Sequence, residues 1–241
     1  LDNWGTPEAY AAGFVEMATA ARVETVVISA DDPGARAIIP ALRAAGKHVV
    51  TTGESSDADV RIVDASFPPE GARAVLRTDA DAGDLVLAVP GRYNLHNAAM
   101  AYAVGRALGL PGPALRAAAA GFTGTHRRFQ PVADVGGVRI FDDYAHHPTE
   151  VAATLTAARG MVGTGRLVAC FQPHLFTRTR DFAAEFGRAL ALADEVVVLG
   201  IYPAREDPLP GVTGRLVADA VASAPDRVRY VEALAGAAPT V

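Results

Sequence analysis

From Val138 onward the chain alternates strand-like and helix-like segments without interruption. Apolar runs at 138–141, 167–171, 196–201 and 228–231 are separated by helical periods at 149–159, 181–192 and 213–222. This alternation limits the fold more than any other feature. Parallel strands need long crossovers, and helical crossovers are right-handed, so the pattern predicts a doubly wound layer with its strand carboxyl ends on one edge. Polar residues recur at those ends. The first carries Asp142, Asp143, Tyr144, His146 and His147; the second Gln172, His174, Thr177, Arg178 and Arg180; the third Tyr202, Arg205, Glu206 and Asp207. Open α/β sheets bind ligands at this edge, so the three ends together predict a composite anion-binding cleft. Helix caps at solvated strand ends are the plainer explanation of the first cluster, but two aspartates, a tyrosine and two histidines exceed what capping needs.

The stretch Val138–Phe141 reads as a buried strand that opens the layer, and Thr149 and Glu150 start the helix behind it. Ahead of it the pattern is different. Thr6 and Pro7 mark a helix start, with Tyr10, Phe14, Met17 and Ala21 on one face. A strand at 23–29 runs into Asp31-Asp32-Pro33, read as the cap of a helix bent or ended near Pro40. Strands are expected at 48–52, 60–66, 74–78 and 85–89, the later ones as an antiparallel meander. Residues 90–97, PGRYNLHN, then lead into an alanine-rich helix ending at Gly109. Asn94 near its cap and Asn97 one turn on can serve a phosphate, a metal-bound water or a purine edge. A capping asparagine followed by a packing one fits the same spacing. His96 reads as a packing or surface residue.

Glycines and a threonine at Gly121–Gly124 divide the two patterns. The expected domains are therefore a mixed-sheet unit over 1–122 and a Rossmann-like doubly wound unit over 123–241, with Thr123-Gly124 as a hinge. Arg127 and Arg128 at this junction can clamp an oligophosphate by bidentate hydrogen bonds, or can be ordinary surface arginines.

A net charge of -5 gives no reason to expect nucleic acid or an anionic membrane as partner. No apolar run reaches the roughly 18 residues of a membrane span, and Cys170, the single cysteine, has no partner for an internal disulfide. These features fit a cytoplasmic protein. Lys47, the only lysine, lies in Gly46-Lys47-His48, which is not a phosphate loop. The chain opens at Leu1 inside what reads as a structured segment, so an incomplete polypeptide is expected.

Four motifs then stand in order: Gly-Arg-Tyr-Asn-Leu-His-Asn (91–97), Gly-Thr-His-Arg-Arg-Phe (124–129), Asp-Asp-Tyr-Ala-His-His-Pro-Thr-Glu (142–150) and Phe-Gln-Pro-His-Leu-Phe-Thr-Arg-Thr (171–179). Together they resemble the Mur ligases, ATP-dependent amide ligases of peptidoglycan synthesis, over essentially the whole chain. The resemblance corresponds to the later half of the central ATP-binding domain and most of the C-terminal domain. It implies ATP with Mg2+, and it lies nearest the member that joins L-alanine to UDP-N-acetylmuramate through an acyl phosphate. A related ligase that attaches a preformed tripeptide is the nearest competitor.

By the same resemblance, Asn94 and Asn97 lie along ATP and Arg128 reaches its γ-phosphate. Asp143 holds the ribose and His147 lies near the adenine. Tyr144, His146, His174 and Arg178 face the muramoyl substrate and the amine, which His146 orients or deprotonates. The chain departs from the family pattern at Tyr93, where a histidine is frequent, at Leu175, where an arginine is common, and at Gln130, where an acid is usual. The phosphate loop, a metal-binding glutamate and the UDP-binding domain would precede Leu1, so the 241-residue chain is expected not to ligate by itself. Two rivals remain. A metal-dependent hydrolase would use Asp142, Asp143, His146, His147 and His174, and a non-catalytic nucleotide-binding module would lack a phosphate loop by design.

Overall fold

The computed structural model describes residues 4–221 and 225–233. It divides into two compact units, Leu1–Thr123 and Gly124–Val241.

The first unit is built on a five-stranded sheet in the order β1-β2-β3-β4-β5, comprising β1 (Thr25–Ser29), β2 (His48–Gly53), β3 (Val60–Ser66), β4 (Ala72–Arg77) and β5 (Ala82–Leu87). β1, β2 and β3 are parallel, and β3, β4 and β5 form the antiparallel meander. Helix α1 (Pro7–Thr19) begins at a Thr6 cap and α2 (Pro33–Ala44) at an Asp32 cap, each with proline in the first turn. α2 does not end at Pro40; it continues to Ala44, with Leu42 of its last turn fully buried. Helix α3 (Arg92–Ala107) packs Leu95, Ala99, Tyr102 and Ala103 into the core shared with β3, β4 and β5, and α4 (Gly112–Ala120) follows.

The second unit opens with a two-stranded antiparallel hairpin, β6 (Gln130–Val135) and β7 (Val138–Asp142). Here the sequence expectation is corrected. Residues 138–141 do not open the parallel layer and are not buried, for Val138 is 62% and Ile140 48% exposed. The reason is local. Gly136 and Gly137 both take positive φ, +60° and +81°, forming the two-residue turn that folds a strand straight back on its predecessor. The parallel sheet has three strands in the order β10-β9-β8, with β8 (Val168–Phe171), β9 (Glu195–Leu199) and β10 (Val228–Val231).

Helices α5 (Pro148–Val162), α6 (Phe176–Leu190) and α7 (Arg215–Ala220) alternate with these strands. Their common core joins Val151, Leu155, Phe171, Phe186, Leu190, Val196, Val198 and Val217. The final residue of the helix expected over 213–222, Ala222, lies outside the described residues. α6 starts five residues before the expected helix and carries non-helical φ/ψ at Phe182, so Thr177, Arg178 and Arg180 are helical rather than loop residues. Among the described residues, no helix is long and apolar enough to cross a membrane.

Candidate active site

In the second unit three turns come together. The first, between β7 and α5, carries Tyr144, His146 and His147; the second, between β8 and α6, carries His174; the third follows β9 and carries Tyr202. The pairing of β8 with β9 is prolonged past the strand ends by a parallel bridge between His174 and Tyr202. In it Tyr202 N donates to the Pro173 carbonyl (2.8 Å) and Leu175 N to the Tyr202 carbonyl (3.0 Å). The rings then follow one another. Tyr202 stacks on His174 at 5.7 Å between centroids, His174 meets His146 edge-on at 6.1 Å, and His146 meets Tyr144 at 5.2 Å. The Arg127 and Arg128 guanidinium carbons lie 4.5 Å and 5.8 Å from the centre of the Tyr144 ring, within reach of a cation–π attraction.

The partners of the two central imidazoles determine their tautomers. His146 Nδ1 lies 2.9 Å from the Tyr144 carbonyl oxygen, which can only accept, so that nitrogen carries the proton and neutral His146 keeps its Nε2 lone pair. His174 Nδ1 lies 3.1 Å from Arg178 Nη1, which can only donate, so His174 accepts there and carries its proton on Nε2. One ring therefore offers an acceptor and its neighbour a donor. Burial pushes His174 below the usual histidine range, and the charges of Arg178, His146 and Arg205 push it the same way against Glu206, which favours the neutral donor form.

Arg178 reaches back to His174, four residues earlier, because α6 begins between them at Phe176. Nothing in the first turn of α6 marks that start. Its N-cap residue is Leu175, buried and at φ +72°, with no side-chain cap. The cap comes from Glu206 instead, which accepts from Thr177 N at 3.0 Å and from the Thr177 hydroxyl. Partial burial raises the Glu206 carboxyl, but the hydrogen bonds from Thr177 and Phe176 outweigh that and hold it below the ordinary range. The positive end of α6 is thus taken up by the protein's own carboxylate, leaving Arg178 and His174 Nε2 as donors for an incoming anion.

Asp143 and His147 are engaged within the turn. Asp143 accepts from Phe129 N (2.8 Å), Ala145 N (2.7 Å) and the Thr154 hydroxyl (3.2 Å), binding the arginine loop to the strand end. His147 caps α5, with Nδ1 accepting from Thr149 N at 3.3 Å, and its ring lies 5.3 Å from that of Phe182. Glu150 completes a capping box by accepting from His146 N and His147 N. Capping accounts for part of the first cluster but leaves the side chains of Tyr144 and His146 with no part in it.

The first unit holds Asn94 and Asn97. Asn94 is at the third position of α3, in the first turn after the Gly91 cap (φ +100°), and its Nδ2 donates to the Pro90 carbonyl at 2.6 Å. Asn97 is exposed one turn further on. His96 is neither a packing nor a free surface residue. Its Nε2 lies 3.0 Å from Glu54 Oε1 and its Nδ1 3.6 Å from Asp31 Oδ2, at the carboxyl ends of β2 and β1, and Arg92 also pairs with Glu54. Acids directly after the first two strands were the available signal. Among the described residues, no group of three or more His, Cys, Asp or Glu side chains is placed to hold a metal ion, so the hydrolase reading finds no ligand set.

Two family profiles cover most of the chain: the Mur ligase middle domain over residues 1–105, and the Mur ligase, glutamate ligase domain over residues 127–241. UDP-N-acetylmuramate–L-alanine ligase of Cutibacterium acnes is 59% identical over 233 residues, 96% of this chain and 50% of its own length. Among solved structures, UDP-N-acetylmuramate–alanine ligase of Thermotoga maritima superposes with a TM-score of 0.76 at 25% identity, over 98% of this chain and 49% of that one. Folylpolyglutamate synthase of Mycobacterium tuberculosis, solved with ADP, shares the fold with a TM-score of 0.71 at 20% identity, over 98% and 52%. The chain spans about half the length of the curated relatives it matches.

Proposed function

Because the chain belongs to the Mur ligase family, we propose that it serves the ATP-dependent ligation of L-alanine to UDP-N-acetylmuramate, an amide-forming step of peptidoglycan precursor synthesis. The observation that carries this reading is the pair of adjacent imidazoles in opposite tautomers, with Arg178 behind one of them.

The reaction has two stages. A muramoyl carboxylate oxygen attacks the γ-phosphorus of ATP, ADP leaves, and an acyl phosphate results. The alanine amine then attacks the acyl carbon, its nitrogen loses a proton, and phosphate leaves with the former C–O bonding pair. Arg128 is proposed to meet the γ-phosphoryl oxygens, where a guanidinium fork stabilises charge that grows in the transition state. Arg178 and the Nε2 proton of His174 are proposed to hold anionic oxygens of the muramoyl group or of alanine, and Tyr144 to line the same place. His146 Nε2, an open acceptor, is proposed to orient the amine and take its proton. Asn94 and Asn97 are proposed to lie along the nucleotide at the positive end of α3. Asp143 uses three of roughly four acceptor directions internally, which leaves one for a ribose hydroxyl. His147 is proposed to lie by the adenine. Mg2+ would accompany ATP as its counter-ion, with no dedicated ligand set among the described residues.

The test is ADP formation by the enzyme at its full encoded length, with each stem amino acid offered in turn. Release that depends on both UDP-N-acetylmuramate and L-alanine is expected. Release with a preformed tripeptide but not with alanine would transfer the chain to the related ligase, and nucleotide binding without any turnover would favour the non-catalytic module.

A further inference from the structure

The geometry points to Glu150 as a positioning residue, one carboxylate that holds His146 and Arg128 together at the first strand end. The inference rests on the ligation reading above for what those two residues do, though not for how they are held.

The two oxygens of Glu150 have separate partners. Oε2 accepts from His146 N at 2.9 Å and His147 N at 3.2 Å, and lies 3.4 Å from His146 Nδ1, the nitrogen that already donates to the Tyr144 carbonyl. Oε1 faces Arg128 Nη1 at 3.5 Å. Closing the capping box needs only one oxygen. The other has no part in starting α5 and is directed at the arginine. A carboxylate beside the protonated Nδ1 keeps Nε2 as the open nitrogen, which is the logic by which a third group orients a general base. The same carboxylate keeps Arg128 from spending its charge on Tyr144 alone. Burial works against ionisation of Glu150, but the backbone hydrogen bonds from His146 and His147 and the charge of Arg128 hold its carboxyl below the usual range, so the anion is present near neutrality.

Glu150→Gln separates this role from capping. The glutamine carbonyl can still accept from the two backbone N–H groups, while its NH2 turns a donor toward Arg128, which cannot accept. In the 241-residue chain we expect the unfolding midpoint of Glu150→Gln to stay within about 2 °C of wild type, since the cap survives. The wild-type His146 ring should show a pyrrole-like Nδ1 and a pyridine-like Nε2 by long-range 15N NMR, with slowed rotation of the Arg128 guanidinium; in Glu150→Gln that rotation should become fast. In the enzyme at full encoded length, kcat should fall roughly tenfold or more, with KM for ATP and for alanine moving less than about threefold.

A variant as active as wild type within about twofold would reduce Glu150 to a cap. Should Glu150→Gln not fold, the wild-type spectra decide, because mixed His146 tautomers and a freely rotating Arg128 would refute the positioning role directly. Wild-type enzyme with no alanine-dependent ADP formation would instead overturn the ligation reading and leave the NMR result standing.

Discussion

At the residue scale, what distinguishes this site is which atom of each imidazole bears the proton. His174 accepts from an arginine and His146 donates to a carbonyl, so substitutions at the two should differ in kind. Arg178→Lys keeps the charge but loses the fixed planar fork, and should weaken binding of the anionic substrate about tenfold or more while the fold is unchanged, as read by KM and by circular dichroism. His174 also ties stability to pH. Its folded-state value lies below the unfolded one, so the unfolded chain binds more protons as the pH falls through the usual histidine range. Its contribution is complete above that range and is lost as pH falls toward the folded value. The unfolding midpoint should therefore drop between about pH 7 and pH 5, and His174→Gln should flatten that part of the profile. An unchanged slope in the variant would mean that other groups carry the dependence.

At the element scale, two short features decide where the polar residues end up. The Gly136-Gly137 turn has open space around both Cα atoms, so what excludes other residues there is backbone conformation alone. Gly137→Ala should cost roughly 1 kcal/mol, the ordinary price of a left-handed non-glycine residue, measured by urea unfolding. The start of α6 depends on Glu206, a cap supplied from 29 positions away along the chain. Glu206→Ala should cost about 1 kcal/mol, as the loss of a side-chain cap does. It should also release the Thr177 end of the helix, seen as faster amide exchange at Thr177 and Arg178 than in the wild type. Loss of stability without faster exchange there would show that the carboxylate acts elsewhere.

At the scale of the whole molecule, each apolar core cluster among the described residues is made of residues from one unit. That of α5, α6, β8 and β9 is wholly in the second, and those of α2 and of the β3-β4-β5 meander with α3 are wholly in the first. Each unit thus buries its own apolar surface, and residues 124–241 expressed alone should unfold cooperatively with intact near-ultraviolet circular dichroism. A broad transition lacking that signal would mean the two cores depend on each other. Much of this was legible in the amino-acid order. The strand–helix alternation, the proline-marked caps of α1 and α2, the antiparallel meander and the polar strand ends all follow from local periodicity and turn chemistry, which operate within a few residues. The Gly-Gly hairpin is equally local, yet the apolar run after it reads in the sequence as a buried strand, because periodicity alone does not say which neighbour a strand will pair with. What only the tertiary structure decided depends on partners far apart in the chain. Glu206 starts α6, which brings Arg178 onto His174; Tyr202 stacks on His174; Asp31 and Glu54 draw in His96. Residue types name the groups able to give or take a proton, but hydrogen-bond direction is set by the atom opposite, and that atom is known only when the chain has folded.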